Sequence, residues 1–284
     1  MNLPLHRLLL PLVPCALCLV PSLSFAQEAM FTEAATMPSK GVSTLRPGFH
    51  IAQFGTNPLE PTEERTTDFE AMTSLQYGIA RAWSVTVGVP AVLEHTKNTD
   101  GSSDWDKGIS DLHAMFKYRF YMDNPGGVDT TRIALLGGAT FASGDDSDFS
   151  SGSINPMLGA VITIVRGRHG FNQDIKYTLT TGGDKLTNSG GEGPADALEL
   201  GTAYVYRILP AAFTSDTEGA WYTTLEVNTM VETSGDLDIR WSPGLMYEGR
   251  LWAFETMLQF PLYHELDERA ELDWAVGVGL RFTF

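Results

Sequence analysis

The residue types and spacing best suited to catalysis occur at Ser110, Asp111 and His113. A hydrolytic triad needs a serine hydroxyl within hydrogen-bond reach of its histidine. Residues two apart on a β-strand share a face, whereas adjacent residues point to opposite faces. Asp111 and His113 therefore point one way and Ser110 the other. This arrangement argues against a serine hydrolase, and we expect the protein not to be an enzyme.

Two groups of carboxylates raise the question of a bound metal. They are Asp100, Asp104 and Asp106, and Asp145, Asp146 and Asp148. Hard cations such as calcium favour clustered carboxylates, but neither stretch has the EF-hand spacing with its terminal glutamate. The other histidines beyond residue 26 show no zinc-site spacing, and no phosphate-binding glycine loop is present. We therefore expect solvated acidic loops, no metal site and no cofactor.

The composition limits both the partners and the fold class. The chain has 284 residues and a formal net charge of -16, which excludes an electrostatic nucleic-acid binder because phosphate neutralisation needs a basic face. Hydrophobic residues make up 43% and charged residues 19%, so the chain has enough apolar side chains to fold. With 28 glycines and 11% aromatic residues, the composition favours many short strands joined by turns.

The first 26 residues have the features of a secretory signal peptide. Arg7 precedes a short apolar core at 8–20, and Ser24 and Ala26 place small residues at the positions that a signal peptidase reads. We predict cleavage after Ala26. Both cysteines, Cys15 and Cys18, would leave with this segment, so the mature chain would have no thiol for a disulfide, a metal or a nucleophile.

The C-terminal segment shows the alternation of a membrane-facing strand. One face carries Leu272, Trp274, Val276, Val278, Leu280, Phe282 and Phe284, and the other is small or charged. A long last strand that ends on Phe, with aromatic residues near both ends, is typical of a transmembrane barrel. We therefore expect Phe284 to serve as the contact with the barrel-assembly machinery.

Similar segments recur along the chain and give twelve candidate strands. They are 49–54, 69–79, 83–91, 112–120, 133–141, 154–164, 171–179, 198–206, 221–229, 237–247, 252–263 and 272–284. An even count returns both termini to one side, which for an exported barrel is the periplasm. The fold class predicted is all-β: a transmembrane antiparallel up-and-down β-barrel over residues 41–284. Residues 27–40 form a polar leader placed in the periplasm or at the barrel mouth.

The connector lengths agree in part with this topology, because such barrels have short periplasmic turns and longer external loops. The predicted inner turns at 81–82, 166–170 and 248–250 are short, and the outer connectors at 57–65, 95–107, 144–152 and 182–194 are long. Two inner connectors, 123–131 and 210–219, are longer than expected. The outer connectors near Ser234 and Asp267 are short.

If the apolar faces meet lipid, a set of charged side chains and one histidine lines the lumen. These predicted selectivity residues are Glu70, Asp111, His113, Lys117, Arg119, Asp174, Lys176, Glu199, Arg207, Glu226, Asp238, Arg240, Glu255, Asp273 and Arg281. They either pair across strands and keep a narrow lumen rigid, or set the solute preference of a conduit. Twelve strands give a backbone radius of about 12 Å, which leaves room for a small solute at most.

Five short motifs resemble one family of outer-membrane proteins, described as the MetA pathway of phenol degradation. The motifs are GISDL at 108–112, KYRF at 117–120, TFASGDD at 140–146, SPGL at 242–245 and FPLY at 260–263. The resemblance covers about residues 40–284. It implies an outer-membrane barrel that transports aromatic or other hydrophobic compounds, and it carries over no catalytic or binding residue.

The expected function is passive uptake of small aromatic or hydrophobic solutes by a monomeric channel in the outer membrane of a Gram-negative bacterium. Its expected partners are outer-membrane lipid, lipopolysaccharide and the solute. One alternative is a closed structural or adhesive barrel whose acidic external loops are the functional surface. An outer-membrane hydrolase is the third.

Overall fold

The computed structural model describes residues 27–59, 61–145, 149–182, 185–186, 191–192 and 195–284. The predicted signal peptide at 1–26, with both cysteines, and the carboxylates Asp146 and Asp148 lie outside these residues. The strands are β1 (Ser43–Phe54), β2 (Glu63–Ala80), β3 (Trp83–Asn98), β4 (Ser103–Ile109), β5 (Leu112–Gly126), β6 (Asp129–Phe141), β7 (Asn155–Arg166), β8 (His169–Thr178), β9 (Lys185–Leu186), β10 (Gly191–Glu192), β11 (Ala197–Leu209), β12 (Gly219–Glu232), β13 (Leu237–Gly249), β14 (Trp252–Glu265) and β15 (Leu272–Thr283).

Twelve of these strands form one closed antiparallel barrel, which confirms the predicted fold class. Each barrel strand pairs with its neighbours in the chain, and β15 closes the barrel by pairing with β1, where Phe49 lies opposite Val278. The first barrel strand starts at the same rim at which the last one finishes, because the amide of Ser43 donates to the carbonyl of Phe284 at 2.8 Å. We call this end the terminal rim, and the end that carries the long connectors the loop rim.

Several connectors predicted as loops are partly strand, among them 95–107 and 123–131. β4 pairs with the last part of β3, so 95–107 forms a hairpin that extends above the barrel, and the rings of His95 and Trp105 pack at 4.4 Å. Ser110 and Asp111 separate β4 from β5, and both of these strands pair with β3. At the terminal rim β5 and β6 are joined by Gly127 and Val128, where Gly127 has φ +57°, a conformation that glycine adopts without a steric penalty.

The outer face of the barrel is apolar, with aromatic residues near both rims. Leu158 is 73% exposed on the outside of β7, although leucine is usually buried in a soluble domain. Trp83 stacks on Tyr118 at 4.4 Å near the terminal rim, and Trp241 packs on Phe260 at 5.8 Å near the loop rim. An apolar band between aromatic girdles is the surface of a transmembrane β-barrel. Among the residues described above, no helix has the length and apolarity to span a membrane.

Candidate functional site

The predicted leader, residues 27–40, lies inside the barrel, and we extend the name to 27–42 to include the two residues that join it to β1. The carbonyl of Gln27 accepts a hydrogen bond from Asn172 Nδ2 at 3.1 Å, on the part of β8 next to the terminal rim. The chain then rises to the middle of the lumen and returns to the same rim, where the amide of Gly41 donates to the carbonyl of Gly78 at 2.8 Å. The leader therefore occupies the half of the lumen next to the terminal rim.

One buried carboxylate on the wall holds the tip of the leader. Glu226, in the middle of β12, is 1% exposed and accepts hydrogen bonds from three consecutive backbone amides. The amides of Met30, Phe31 and Thr32 lie 2.9, 3.1 and 2.7 Å from its carboxylate oxygens. Glu226 therefore fixes the height to which the leader rises.

Two further wall side chains bind the backbone of the leader as it turns back. The amide of Glu33 donates to Asp174 Oδ2 on β8 at 2.7 Å. The amide of Ala35 donates to Thr163 Oγ1 on β7 at 2.8 Å. These contacts are to backbone groups, so they fix the path of the leader whatever its side chains are.

The leader also brings carboxylates to cations of the wall. Glu28 Oε2 lies 2.5 Å from Arg281 Nη1 and 3.3 Å from Arg46 Nη1, and Thr36 Oγ1 donates to the other oxygen of the same carboxylate. Arg281 also pairs with Glu248 of the wall at 2.8 Å. Buried charges persist only when they are paired and hydrogen-bonded. The leader is therefore part of the electrostatic balance of the lumen.

A cavity of about 590 Å³ lies against the tip of the leader and extends toward the loop rim. Residues 28–34 form its floor, and its walls come from most strands of the barrel, including Thr178 and Asp238 near the loop rim. Pockets for small organic ligands typically enclose about 300–1,000 Å³. The cavity is therefore large enough for one small organic solute.

Nine of the fifteen predicted lining residues reach this one cavity. They are Glu70, His113, Lys117, Asp174, Lys176, Glu199, Asp238, Arg240 and Glu255. Several are paired within the wall: Lys176 Nζ lies 2.7 Å from Glu199 Oε2, and Arg240 Nη2 lies 2.6 Å from Asp238 Oδ2. The lining has charges of both signs, and much of the charge is neutralised locally.

The other six predicted lining residues lie elsewhere. Glu226 and Arg281 bind the leader, as described above. Arg207 stacks on the ring of Phe213 at 4.0 Å, and Arg119 donates to the carbonyl of Arg81 at 2.9 Å, both near the terminal rim. Asp273 is exposed at the loop rim, where it accepts a hydrogen bond from Gln53 at 3.1 Å.

Asp111, the last of the six, holds an external loop to the barrel. Its Oδ1 accepts from the amides of Ser143 and Gly144 at 3.0 and 2.9 Å, and its Oδ2 accepts from the amide and hydroxyl of Ser151 at 2.9 and 2.7 Å. Burial raises the pKa of the Asp111 carboxyl, but these hydrogen bonds outweigh burial and leave that pKa below its ordinary value. Asp111 therefore does not orient His113, which faces the cavity instead.

The charged residues were found from strand alternation, but five methionines of the same cavity were not. Met72, Met115, Met157 and Met230 lie on the inner face of the wall, and Met30 is part of the floor. The signal was present in the sequence, because Met72 follows Glu70 by two residues and Met115 lies two residues before Lys117. Methionine side chains are flexible and polarisable, and they make favourable contacts with aromatic rings.

No metal site is present in the described part of the chain, where no three His, Cys, Asp or Glu side chains are placed to share an ion. Asp100, one of the carboxylates considered above, instead accepts hydrogen bonds from the amide and hydroxyl of Ser102 at 2.8 and 2.6 Å. These bonds hold the pKa of the exposed Asp100 carboxyl below its ordinary value. In this turn the carboxylate organises the backbone.

One comparison with a solved structure supports the fold, and two weaker matches are also found. The chain is similar to the crystal structure of an outer membrane channel from Pseudomonas putida F1, with 10% identity and a TM-score of 0.64 over 88% of this chain and 97% of that one. The β domain of the Bordetella autotransporter BrkA matches with 12% identity and a TM-score of 0.49 over 86% of this chain and 100% of that one. The NanC porin matches with 11% identity and a TM-score of 0.48 over 84% and 98%.

Sequence comparisons give no family assignment. No family model matches the chain, and no curated protein matches it. The shared feature of the chain and the Pseudomonas putida channel is therefore the barrel fold.

Proposed function

We propose that the protein is an outer-membrane channel for the passive uptake of small solutes that combine an apolar, aromatic body with a polar group. The observation that carries this proposal is the 590 Å³ cavity in the lumen, whose wall carries charged pairs and methionines together. A structural barrel needs no such cavity, because its lumen can be filled by its own side chains. The barrel fold shared with an outer membrane channel and the resemblance to a family of aromatic-compound transporters support the same proposal.

The proposal includes the location and the processing of the chain. The signal peptide is removed after Ala26, the barrel enters the outer membrane as a monomer through the assembly machinery, and the terminal rim faces the periplasm. The apolar outer band contacts lipid and, in the outer leaflet, lipopolysaccharide. N-terminal sequencing of the membrane fraction should begin at Gln27, and any other first residue would contradict the predicted cleavage.

The alternative is a closed structural or adhesive barrel, and the leader is the observation that favours it. Residues 27–42 fill half of the lumen and are bound to the wall at several points. In this alternative the leader never leaves, and the loops at the loop rim are the functional surface.

Single-channel recording separates the two functions. The refolded mature chain should pass discrete currents in a planar bilayer, and Glu226→Ala, which removes the acceptor that holds the tip of the leader, should increase the open time. Both samples must first show the heat-modifiable gel migration of a folded barrel. Folded, inserted protein that passes no current in either form would rule out the channel and leave the structural barrel.

A further inference from the structure

Lys117 is a buried cation whose partners belong to the leader. Its side chain is 4% exposed, and its Nζ lies 2.9 Å from Glu33 Oε2 and donates to the carbonyl of Ala34 at 2.5 Å. Within the described ranges, these two contacts are the hydrogen bonds that Nζ makes. Lys117 thus differs from Lys176 and Arg240, which pair with carboxylates of the wall itself.

On the β6 side the wall beside Lys117 is apolar, whereas on β3 the buried Ser84 lies opposite it. Leu136 lies directly opposite it on β6, and Met115 precedes it by two residues on the same face of β5. Met115 and Leu136 pack with Ala134, Val161 and Ala35 of the leader in one buried cluster, against which Met157 also packs. The ammonium group therefore projects from a hydrophobic patch, and its counter-charge comes from the leader.

The carboxylate of Glu33 is on the open side of this pair. Its side chain is 31% exposed, against 4% for Lys117, and it borders the cavity. The backbone of Glu33 is held independently, because its amide donates a hydrogen bond to Asp174 Oδ2 at 2.7 Å. The side chain can therefore rotate away from Lys117 while the leader stays in place, and a rotation of this kind exposes the ammonium group to the cavity.

We infer that Lys117 and the surrounding methionines form a binding site for a small organic carboxylate with an apolar or aromatic body, and that Glu33 occupies this site when no solute is bound. The solute carboxylate replaces that of Glu33 on Nζ, and its body packs on Met115 and Met157. This inference rests on the proposed function, since the solute must reach the lumen from outside.

Charge gives the site its selectivity. A buried ammonium group that loses its partner is strongly unfavourable, so a solute that displaces Glu33 must bring an anion of its own. A neutral aromatic alcohol would leave Lys117 unpaired, and an aromatic amine would add a second cation. Thioether side chains accommodate different ring shapes, so the site selects the carboxylate rather than one particular ring.

The test is the binding of benzoate to the refolded, full-length mature chain in detergent micelles, measured by isothermal titration calorimetry. Benzyl alcohol and benzylamine serve as the neutral and cationic probes of similar size. Glu33→Gln removes the competing carboxylate, so benzoate should bind at least tenfold more tightly. Lys117→Met, which places an apolar side chain opposite Leu136, should weaken benzoate binding at least tenfold. Lys97→Met, an exposed lysine outside the lumen, should change benzoate affinity less than twofold.

The outcomes distinguish this inference from the channel itself. Equal benzoate affinity in the wild type and Glu33→Gln would overturn the inference, as would benzyl alcohol binding as tightly as benzoate. Should Lys117→Met fail the gel test for a folded barrel, Glu33→Gln and the two other probes still decide the question. Benzoate binding in micelles without current in bilayers would support the site and contradict the channel, whereas current without benzoate binding would do the reverse.

Discussion

The amide nitrogen of Thr32 lies 2.7 Å from Oε2 of Glu226, although the two residues are 194 positions apart in the chain. Together with the amides of Met30 and Phe31, this contact satisfies a carboxylate that is almost completely shielded from water. An ionised carboxylate without partners is far less stable in such a place. The leader and Glu226 therefore stabilise each other inside the lumen.

The first prediction concerns the tip of the leader. Glu226→Ala removes the acceptor of three hydrogen bonds from backbone amides of the leader. The amides of Met30, Phe31 and Thr32 should then exchange with solvent at least tenfold faster in hydrogen–deuterium exchange measured by mass spectrometry. Asn228→Ala is the matched control, because Asn228 lies two residues further along β12 and has one 3.5 Å contact with Thr32 Oγ1. Unchanged exchange in Glu226→Ala would show that the leader is held by other groups.

The second prediction concerns the return of the leader at the terminal rim. A Cβ atom at Gly78 would lie 2.1 Å from the carbonyl oxygen of Ser39 and 2.7 Å from that of Pro38. Gly78→Ala should therefore push this part of the leader off the wall and increase its exchange rate, with little effect on barrel formation. Gly48→Ala is the control, since its Cβ would meet its nearest atom, the Val278 carbonyl oxygen, at an ordinary 3.7 Å. Equal exchange in the two variants would contradict the observed path.

Much of the barrel could be predicted from sequence because strand alternation is a local signal. The face on which Met72 lies follows from that of Glu70, two residues before it. In the same way, the face of Lys117 follows from that of Met115. Alternation fails where the ladder is irregular. Asp111 sits in the break between β4 and β5, so the phase of its neighbours does not predict that it binds the loop at 143–151.

The path of the leader could not be predicted in the same way. Residues 27–42 have no periodic pattern, and their position depends on single contacts with strands far along the chain, such as Glu33 with Asp174 and Glu28 with Arg281. The first contact joins a backbone amide to a carboxylate and the second is an ion pair, and each is one of many contacts that the sequence would allow. Only the closed barrel brings the partners together.

The third prediction concerns the external loop bound by Asp111. Hydrogen bonds hold the pKa of the Asp111 carboxyl below the ordinary value of 3.8, so the folded state favours the ionised form. The resulting stability is complete above the unfolded pKa, and it is lost as the pH falls below about 4 through the folded pKa. Amide exchange at Ser143, Gly144 and Ser151, corrected for the intrinsic effect of pH, should therefore accelerate at pH 3 relative to pH 6.

Asp111→Asn provides the control for this loop. The Asn side chain has one acceptor oxygen where Asp has two, so it can accept from the amide of Ser143 or from that of Ser151 but not from both. Exchange at the amide that loses its acceptor should already be fast at pH 6 and should respond little to acid. A variant with the same pH response as the wild type would show that another group is responsible.

The last prediction compares two ion pairs at the loop rim that differ in burial. Arg269 and Glu232 are each 2% exposed and are joined by two hydrogen bonds, of which Nε to Oε2 is 2.6 Å. Lys97 and Glu64 are 50% and 48% exposed at a similar distance of 2.6 Å. Removing one partner of a buried pair leaves an uncompensated charge, so Arg269→Met should lower the free energy of unfolding by about 3–5 kcal/mol. Lys97→Met should lower it by less than about 1 kcal/mol, because water screens an exposed pair. Urea unfolding in lipid vesicles, followed by tryptophan fluorescence, measures both, and equal losses in the two variants would show that burial does not set the strength of these pairs.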